Sequence, residues 1–236
     1  KKIIEDLKNN KIKMIIGTHS LFQEKIIYKN LGLVIIDEQH KFGVKQRKNL
    51  SDKGGKNCDV LVMSATPIPR TMIMTIFGDM DVSIIKEKPK NRKEIKTYSK
   101  IENNIIDVIN FVKKEVNKNN QIFWVCPLIE ESKKVDHQSS IERYKYLNNF
   151  FENNVGLLHG LLSKEEKNEI LKDFLNKKIK ILVSTTVIEV GIDFPNANLI
   201  IIENANKFGL SQLHQLRGRV GRGDKESSCI LVYKSS

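Results

Sequence analysis

Eleven residues near the carboxyl end of the sequence concentrate side chains that bind phosphate. The stretch 212–222 contains Arg217, Arg219 and Arg222, the only arginines among the last ninety residues, although lysine is common there. A guanidinium group is planar and permanently charged, so it can bind two phosphate oxygens at once. Two glycines in the stretch allow a sharp turn or a close approach of the backbone to a ligand. The stretch therefore predicts a phosphate-binding site, with a solvated surface loop as the alternative.

Two adjacent carboxylates follow an apolar run in the first part of the sequence. Residues 31–36 are apolar without alternation, which is typical of a strand buried on both faces of a parallel sheet. Asp37 and Glu38 come directly after this run, at the end of the strand where α/β proteins bind ligands. One carboxylate could hold Mg²⁺ through its water shell, and its neighbour could orient or deprotonate a water molecule. A helix N-cap formed by Asp37 is the alternative.

Small hydroxyl side chains follow two other apolar runs. Ser64 and Thr66 come after the predicted strand 59–63 and before a proline, in what we expect to be a rigid corner that transmits a shift between ligands. Thr18 lies in a turn after the predicted strand 13–16. Either a phosphate contact or an ordinary turn would account for Thr18.

Predicted strands alternate with predicted helices along the whole sequence, which favours an α/β architecture with parallel sheets. Further strands are predicted at 121–125, 155–158, 180–183, 198–202 and 228–233. Helices are predicted at 1–10, 68–77, 101–116 and 132–151, and from Ser163, which has a capping-box glutamate three residues later. Within 132–151, the polar residues 136–140 could instead form a disordered loop. Ligand sites are expected at the carboxyl ends of the strands.

The charged residues 86–96 offer almost no side chains for a core, so we place a domain boundary there. The predicted domains are 1–90 and 91–236, joined by a short exposed linker that lets them move against each other.

Composition narrows the possible classes of function. The formal net charge is +12, and the first hundred residues carry 21 basic against 11 acidic side chains. This balance suits a polyanionic partner such as nucleic acid, although a lysine-rich surface can serve solubility alone. Cys58, Cys126 and Cys229 lack metal-ligand or redox spacing, so they are expected to be reduced residues of a cytoplasmic protein. No apolar run approaches the ~18 residues of a membrane span, and the absence of an initial methionine leads us to expect a fragment.

Four stretches together resemble motifs II, III, V and VI of superfamily 2 helicases. They are 37–40, 64–66, 184–193 and 212–222, and they follow the order that these helicases show across two tandem RecA-like lobes. The resemblance implies an α/β fold of two such lobes with mainly parallel sheets, the first lobe truncated at its N-terminus.

A finer resemblance is to the RecG family of branch-migration helicases, and it covers nearly the whole sequence. The stretches that carry it are 17–23, 33–47, 63–71, 124–132 and 155–160. The transcription-repair translocases of the Mfd family share signatures similar to 66–71 and 215–222, whereas 124–130 favours the RecG family.

The resemblance implies ATP and Mg²⁺ as cofactors. Asp37 would coordinate Mg²⁺–ATP, and Glu38 would position and activate the attacking water. Arg219 and Arg222 would reach across from the second lobe to the γ-phosphate as arginine fingers, and Gln215 would sense the same site.

Further implied roles concern DNA and the coupling between sites. Gly191 and Asp193 would link the nucleotide state to lobe closure, and Ser64 and Thr66 would couple hydrolysis to DNA movement. The implied partner is branched or double-stranded DNA, on which the protein would act as a monomer in the bacterial cytoplasm, at the nucleoid. The residues expected to line the DNA are Thr18, His159, Gly160, Thr185 and Thr186.

One motif of these helicases, the phosphate-binding loop G-x-x-x-x-G-K-[ST], is absent from the sequence. Gly54, Gly55 and Lys56 are followed by Asn57 and lack the upstream glycine, so we interpret them as a polar turn. The first strand and the phosphate loop of lobe one, and the wedge domain that recognises branched DNA, are expected upstream of Lys1. The chain by itself is therefore expected to hydrolyse ATP negligibly.

Two other functions stay open at this point. One is a double-stranded DNA translocase of the Mfd kind, and the other is a nucleic-acid-binding protein derived from a helicase without catalysis. The presence of both carboxylates and both arginines argues against the second.

Overall fold

A computed structural model describes residues 2–38, 53, 58–64, 81–87, 92–127, 133–185 and 194–234, without the side chains at 19, 22 and 133–139. The chain divides into two compact units, residues 1–80 and residues 81–236. The division thus lies ten residues before the domain boundary predicted from the sequence.

The described part of the first unit is built around two parallel strands. Strands β1 (Leu33–Ile36) and β2 (Asp59–Val62) pair with Leu33 opposite Asp59, after helix α1 (Lys2–Lys8) and a 3₁₀ turn (His19–Phe22). Val34 and Ile36 of β1 are buried in a small cluster with Leu31, Cys58 and Val60. The two carboxyl ends therefore lie side by side.

Two expectations for the first unit are wrong. Strand β1 alternates between buried and exposed positions, and Leu33 and Ile35 are 56% and 58% exposed, so only one of its faces is covered. No strand forms at 13–16, where Met14 and Ile16 are 78% and 88% exposed. A strand needs a hydrogen-bonded neighbour, and in the described residues β1 and β2 pair only with each other.

The second unit contains a six-stranded sheet in which every pairing is parallel, so all carboxyl ends lie at one edge. The strand order is β3-β8-β7-β4-β6-β5. The strands are β3 (Ile95–Ile101), β4 (Gln121–Val125), β5 (Val155–Leu158), β6 (Ile181–Ser184), β7 (Ala197–Ile202) and β8 (Ser227–Tyr233).

Helices cover both faces of this sheet. Helices α2 (Ile105–Asn117) and α3 (Lys133–Phe151) contribute to one apolar cluster, and α4 (Lys164–Leu175) and α5 (Leu210–Arg217) contribute to the other. In β4, alternate residues enter opposite clusters, and all its apolar side chains are completely buried. This alternation explains the continuous apolar run of β4. The α/β architecture with parallel strands that the sequence predicts is confirmed.

Helix α4 begins as its sequence predicts. The Ser163 hydroxyl accepts a hydrogen bond from the Glu166 N–H at 3.2 Å, and the Glu166 carboxylate accepts one from the Ser163 N–H at 2.7 Å. Residues 136–140 belong to helix α3, so the alternative of a disordered loop is wrong. Strand β3 was missed because every residue after Ile95 in it is exposed, so the apolar pattern that identifies a buried strand is lacking.

Candidate functional site

The two predicted carboxylates lie directly after β1, at its carboxyl end. The ladder of β1 and β2 continues to this point, since the Met63 N–H donates to the Ile36 carbonyl at 2.8 Å. The Glu38 N–H donates to Asp37 Oδ1 at 2.9 Å, and Glu38 has a φ of 52°. A left-handed conformation costs a residue other than glycine about 1–2 kcal/mol, and such strain is concentrated at functional sites. The backbone therefore turns sharply at the residue predicted to act on water.

A single exposed carboxylate fits a Mg²⁺ ion that keeps most of its water shell. Asp37 is exposed, and Glu38 is half-buried beside it. In the described residues there is no cluster of three or more His, Cys, Asp or Glu side chains that could enclose a metal ion. The exposed carboxylate of Asp37 thus suits a magnesium ion delivered with a nucleotide.

The predicted coupling and DNA residues of the first unit are only partly described. Ser64 follows β2 by two positions and is half-buried. Thr18 is exposed directly before the 3₁₀ turn, and its hydroxyl does not cap that turn. Thr66 and the glycine-rich stretch 54–57 lie outside the described residues.

Strands β4, β5 and β6 bring predicted DNA residues to one edge of the second sheet. Val125 and Leu158 lie on either side of Ser184 in the strand register, so the residues that follow them share that edge. Thr185 is buried there, and His159 is half-buried at the end of the neighbouring strand. The structure thus places these two predicted residues after adjacent strands. Thr186, Gly191 and Asp193 lie outside the described residues.

Gly160 is exposed and has no conformational reason to be glycine. A Cβ atom built there would have no neighbour within 4 Å, and its φ lies outside the left-handed range. The Lys167 ammonium donates to the Gly160 carbonyl at 3.2 Å and so places a positive charge beside this backbone. The sequence analysis did not single out Lys167. A cation in the first turn of a helix is unfavourable beside the positive end of the helix dipole, so its position in α4 could have indicated a functional role. A backbone open on one side and flanked by a cation suits the approach of a phosphate.

The predicted arginines lie on helix α5 and on residues 218–223, here called the arginine loop. Leu216 and Val220 anchor these segments in the apolar core, where they are 7% and 0% exposed. Gln215 and Arg219 are half-buried, and Arg222 is exposed. The helix is extended by the Arg219 N–H, which donates to the Leu216 carbonyl at 3.0 Å. The buried residues therefore fix the backbone that carries the polar ones.

The two glycines of this motif differ in what the fold requires. Gly221 has a φ of 72°, and a Cβ atom there would lie 3.0 Å from Cγ1 of Ile95. Gly218 has an ordinary φ of −68°, and a Cβ atom there would lie no closer than 3.4 Å to another atom. The fold thus requires glycine at 221 but not at 218.

Arg217 differs from the other two arginines. Burial raises the pKa of the Cys229 thiol to about 11, and the positive charge of Arg217 opposes that rise. The charge of Arg217 therefore acts on the core under strand β8. Arg219 and Arg222 remain the candidates for binding phosphate, as the motif predicts.

A buried ion pair at the same edge was not predicted. Glu203 follows β7, and its carboxylate accepts a hydrogen bond from the Trp124 indole and pairs with Nε of Arg143 at 2.5 Å. The Arg143 guanidinium also lies 5.8 Å from the centre of the Trp124 ring. Burial raises the pKa of the Glu203 carboxyl, and the charge of Arg143 opposes the rise. The pair joins α3 to β4 and β7 where the DNA residues are predicted.

The described helices include none that is both long enough and apolar enough to cross a membrane.

Two family models match the sequence. Residues 102–224 match the helicase conserved C-terminal domain, and residues 1–75 match the DEAD/DEAH box helicase domain. The sequence is 54% identical over 233 residues to the ATP-dependent DNA helicase RecG of Thermotoga maritima and 50% identical over 235 residues to that of Bacillus subtilis. These alignments cover 98% of this chain but 30% and 34% of the relatives. The chain thus spans about a third of the length of the curated relatives that it matches.

Solved structures show the same relationship. A structure of RecG bound to a three-way DNA junction matches with a TM-score of 0.69 and 49% identity, over 100% of this chain and 30% of that one. The Mycobacterium smegmatis helicase Lhr, bound to single-stranded DNA and AMP-PNP, matches with a TM-score of 0.61 and 18% identity. That second match covers 92% of this chain and 31% of the other, and it shows the fold alone.

The predicted RecA-like fold and the predicted resemblance to RecG are confirmed. Because the helicase C-terminal model matches more than half of the sequence, the chain belongs to the helicase family, and the relatives that it resembles are RecG helicases.

Proposed function

We propose that this chain supplies nucleotide-hydrolysing and DNA-tracking parts of an ATP-dependent helicase that remodels branched DNA, such as replication forks and Holliday junctions, in recombination and repair. The observation that carries the proposal is the identity of about half of all positions, over 98% of the chain, with RecG helicases. The polar residues at the carboxyl ends of parallel strands support it, because ligands of α/β proteins bind there.

Asp37 and Glu38 have separate roles in this proposal. When bound, Mg²⁺–ATP supplies the phosphoanhydride bond whose hydrolysis drives movement. Asp37 would hold the magnesium ion through its exposed carboxylate. Glu38 orients the attacking water and accepts its proton, and the hydrogen bond from its N–H to Asp37 fixes the two residues relative to each other.

Arg219 and Arg222 act on the charge that develops on the γ-phosphate. An arginine finger of this kind is worth about 10³–10⁵ in rate, because its charge stabilises the transition state more than the ground state. Gln215, one turn earlier on the same anchored backbone, senses the same phosphate. Gly191 and Asp193 link the nucleotide state to closure of the lobes, which we assign to residues 1–90 and 91–236.

The carboxyl edge of the second sheet binds DNA in this proposal. His159, Gly160 and Thr185 contact the sugar-phosphate backbone, and Lys167 adds a charge beside them at 3.2 Å from the Gly160 carbonyl. Thr18 and Thr186 extend this track, and Ser64 and Thr66 couple hydrolysis to movement. The net charge of +12 suits the partner, which we propose to be branched or double-stranded DNA bound by a monomer at the bacterial nucleoid.

The test uses the complete gene product that contains this sequence. ATP hydrolysis and the unwinding of a three-way DNA junction are measured for the wild type, for Glu38→Gln and for Glu24→Gln. Glu24 is an exposed glutamate of the same unit and serves as the matched control. We expect DNA-stimulated hydrolysis and unwinding in the wild type and the control, and neither in Glu38→Gln. Hydrolysis at the wild-type rate in Glu38→Gln would exclude its assigned role, and a wild type inactive on every DNA substrate would exclude the function.

A further inference from the structure

Arg92 links two parts of the second unit that are far apart in the sequence. Nε of Arg92 donates a hydrogen bond to the Gly221 carbonyl at 3.2 Å, across 129 positions of the sequence. Arg92 lies in the second unit, three residues before β3. Gly221 lies in the arginine loop, directly before Arg222. The bond therefore joins the residues just before β3 to the loop that carries the arginines.

This hydrogen bond restrains the direction in which Arg222 leaves the loop. The Gly221 carbonyl belongs to the same planar peptide group as the Arg222 N–H, so holding the oxygen fixes the orientation of that plane. The hydrogen bond has a charged donor, and such bonds contribute more than those between neutral groups. Arg92 thus contacts the peptide group from which Arg222 begins, and Nε of Arg222 itself donates to the Gly218 carbonyl at 3.4 Å.

The first residue of β3, Ile95, packs against the same peptide. Ile95 lies so close to Gly221 that a Cβ atom there would be 3.0 Å from the isoleucine side chain. Ile95 is paired with Ser227 of β8, which fixes its position in the sheet. The arginine loop therefore rests on the first residue of β3 and is bonded to the segment just before it.

We propose that Arg92 is a positioning residue that sets the orientation of Arg222 through its hydrogen bond to the Gly221 carbonyl. This inference rests on the proposed function, in which Arg222 binds the γ-phosphate. Without the Arg92 side chain the Gly221 carbonyl is released, and Arg222 is no longer held in one direction for catalysis. Loss of the Arg92 side chain therefore affects the reaction through Arg222, because Arg92 itself does not touch the nucleotide.

Substitution of Arg92 is expected to leave the fold intact. The side chain is exposed, and the buried residues that anchor the loop, Leu216 and Val220, contact the core independently of it. Lys93 is the matched control, because it is the next residue, is equally exposed and carries the same charge.

The first experiment measures DNA-stimulated ATP hydrolysis by the complete gene product. We expect Arg92→Ala to lower kcat about tenfold, less than the roughly 10²-fold cost of a full 1 Å misplacement. KM for ATP should stay within about twofold, because a finger that acts in the transition state contributes little to ground-state binding. Lys93→Ala should behave as the wild type.

The double variant Arg92→Ala/Arg222→Ala should be no slower than Arg222→Ala alone, since Arg92 acts through Arg222. Losses that multiply, or Arg92→Ala behaving as Lys93→Ala, would overturn the proposal.

A second experiment is independent of catalysis. Amide hydrogen exchange of residues 221–223 is compared in the wild type, Arg92→Ala and Lys93→Ala without nucleotide. Faster exchange in Arg92→Ala alone supports the link, and unchanged exchange overturns it. If the wild type hydrolyses no ATP with any DNA, the proposed function fails, while the exchange measurement still decides whether Arg92 holds the loop.

Discussion

Individual backbone conformations decide which residues the fold itself requires. Glu38 and Gly221 both have positive φ, and both stand in motifs that the sequence assigns to nucleotide chemistry. Gly160 and Gly218 stand in the same class of motif with ordinary backbone conformations and more room. The fold does not require glycine at 160 or 218. If glycine is needed at either position, the need comes from a bound ligand.

Gly221→Ala is expected to destabilise the second unit by about 1–2 kcal/mol, the cost of a left-handed alanine, with an added penalty from overlap with Ile95. Gly218→Ala is the matched control in the same motif and should change the free energy of unfolding by less than about 0.5 kcal/mol. Urea unfolding of both variants measures the difference. Equal destabilisation by the two substitutions would contradict this explanation.

Gly160→Ala is expected to weaken DNA binding several-fold without lowering the free energy of unfolding. An added methyl group meets open space in the chain itself, but it would stand between this backbone and a phosphate. Gly32→Ala provides the control, because a Cβ atom there also has no neighbour within 4 Å. Fluorescence-polarisation titrations with labelled duplex DNA would measure both. Unchanged affinity in Gly160→Ala would remove Gly160 from the DNA track.

At the scale of elements, burial explains what could be predicted. Strands β4, β5, β6, β7 and β8 were predicted to within one residue, because each contains several apolar residues that the core buries. The edge strand β3 has polar residues on both faces, and no strand was predicted there; only its first two residues fall within the predicted linker 86–96. The predicted burial of both faces of β1 failed, because an apolar run does not show whether a second layer is present.

The candidate site was predictable where neighbouring residues in one motif carry it, as for Asp37 and Glu38. The contact between Arg92 and Gly221 and the pair formed by Arg143 and Glu203 were not predictable. Their partners are 129 and 60 positions apart, and only the topology of the sheet brings them together.

Arg143→Met is expected to destabilise the second unit by about 3–5 kcal/mol at pH 7, because it leaves the buried Glu203 carboxylate without its cation. Lys178→Met breaks an exposed pair with Asp173 and should cost less than about 1 kcal/mol. Chemical unfolding monitored by circular dichroism compares them. If the two substitutions lower the free energy of unfolding by similar amounts, the buried pair contributes no more to stability than the exposed one.

The cost of Arg143→Met should depend on pH. Burial already raises the pKa of Glu203, and loss of Arg143 raises it further. A raised folded-state pKa favours the folded state most below the unfolded value, and this advantage is lost as the pH rises through the folded value. The variant should therefore be closer to the wild type near pH 4 than near pH 7. A constant difference across this range would contradict the assignment.

At the scale of the whole molecule, the described residues form two separate sheets of different size. The second unit has a six-stranded sheet with helices on both faces, whereas the described part of the first has two paired strands with one face exposed. The sequence also lacks the phosphate loop that superfamily 2 helicases use to hold ATP.

The 236-residue chain by itself is therefore expected to hydrolyse ATP negligibly, with or without duplex DNA. Release of phosphate by the purified chain, measured alongside the complete gene product, tests this. Glu38→Gln in the short chain separates true turnover from a contaminating ATPase. DNA-stimulated turnover that this substitution abolishes would contradict the expectation.

The burial of Trp124 has a practical consequence. It is the only tryptophan of the chain, it is fully buried in β4, and its indole is hydrogen-bonded to Glu203. Its intrinsic emission therefore reports on the second unit alone, whereas a far-ultraviolet signal averages over the helices and strands of both. If the emission and far-ultraviolet transitions coincide, the units melt as one cooperative system; if they separate, the units melt independently. The fluorescence of Trp124 can therefore measure, without an added label, the energetic coupling between the units on which any motor of two lobes depends.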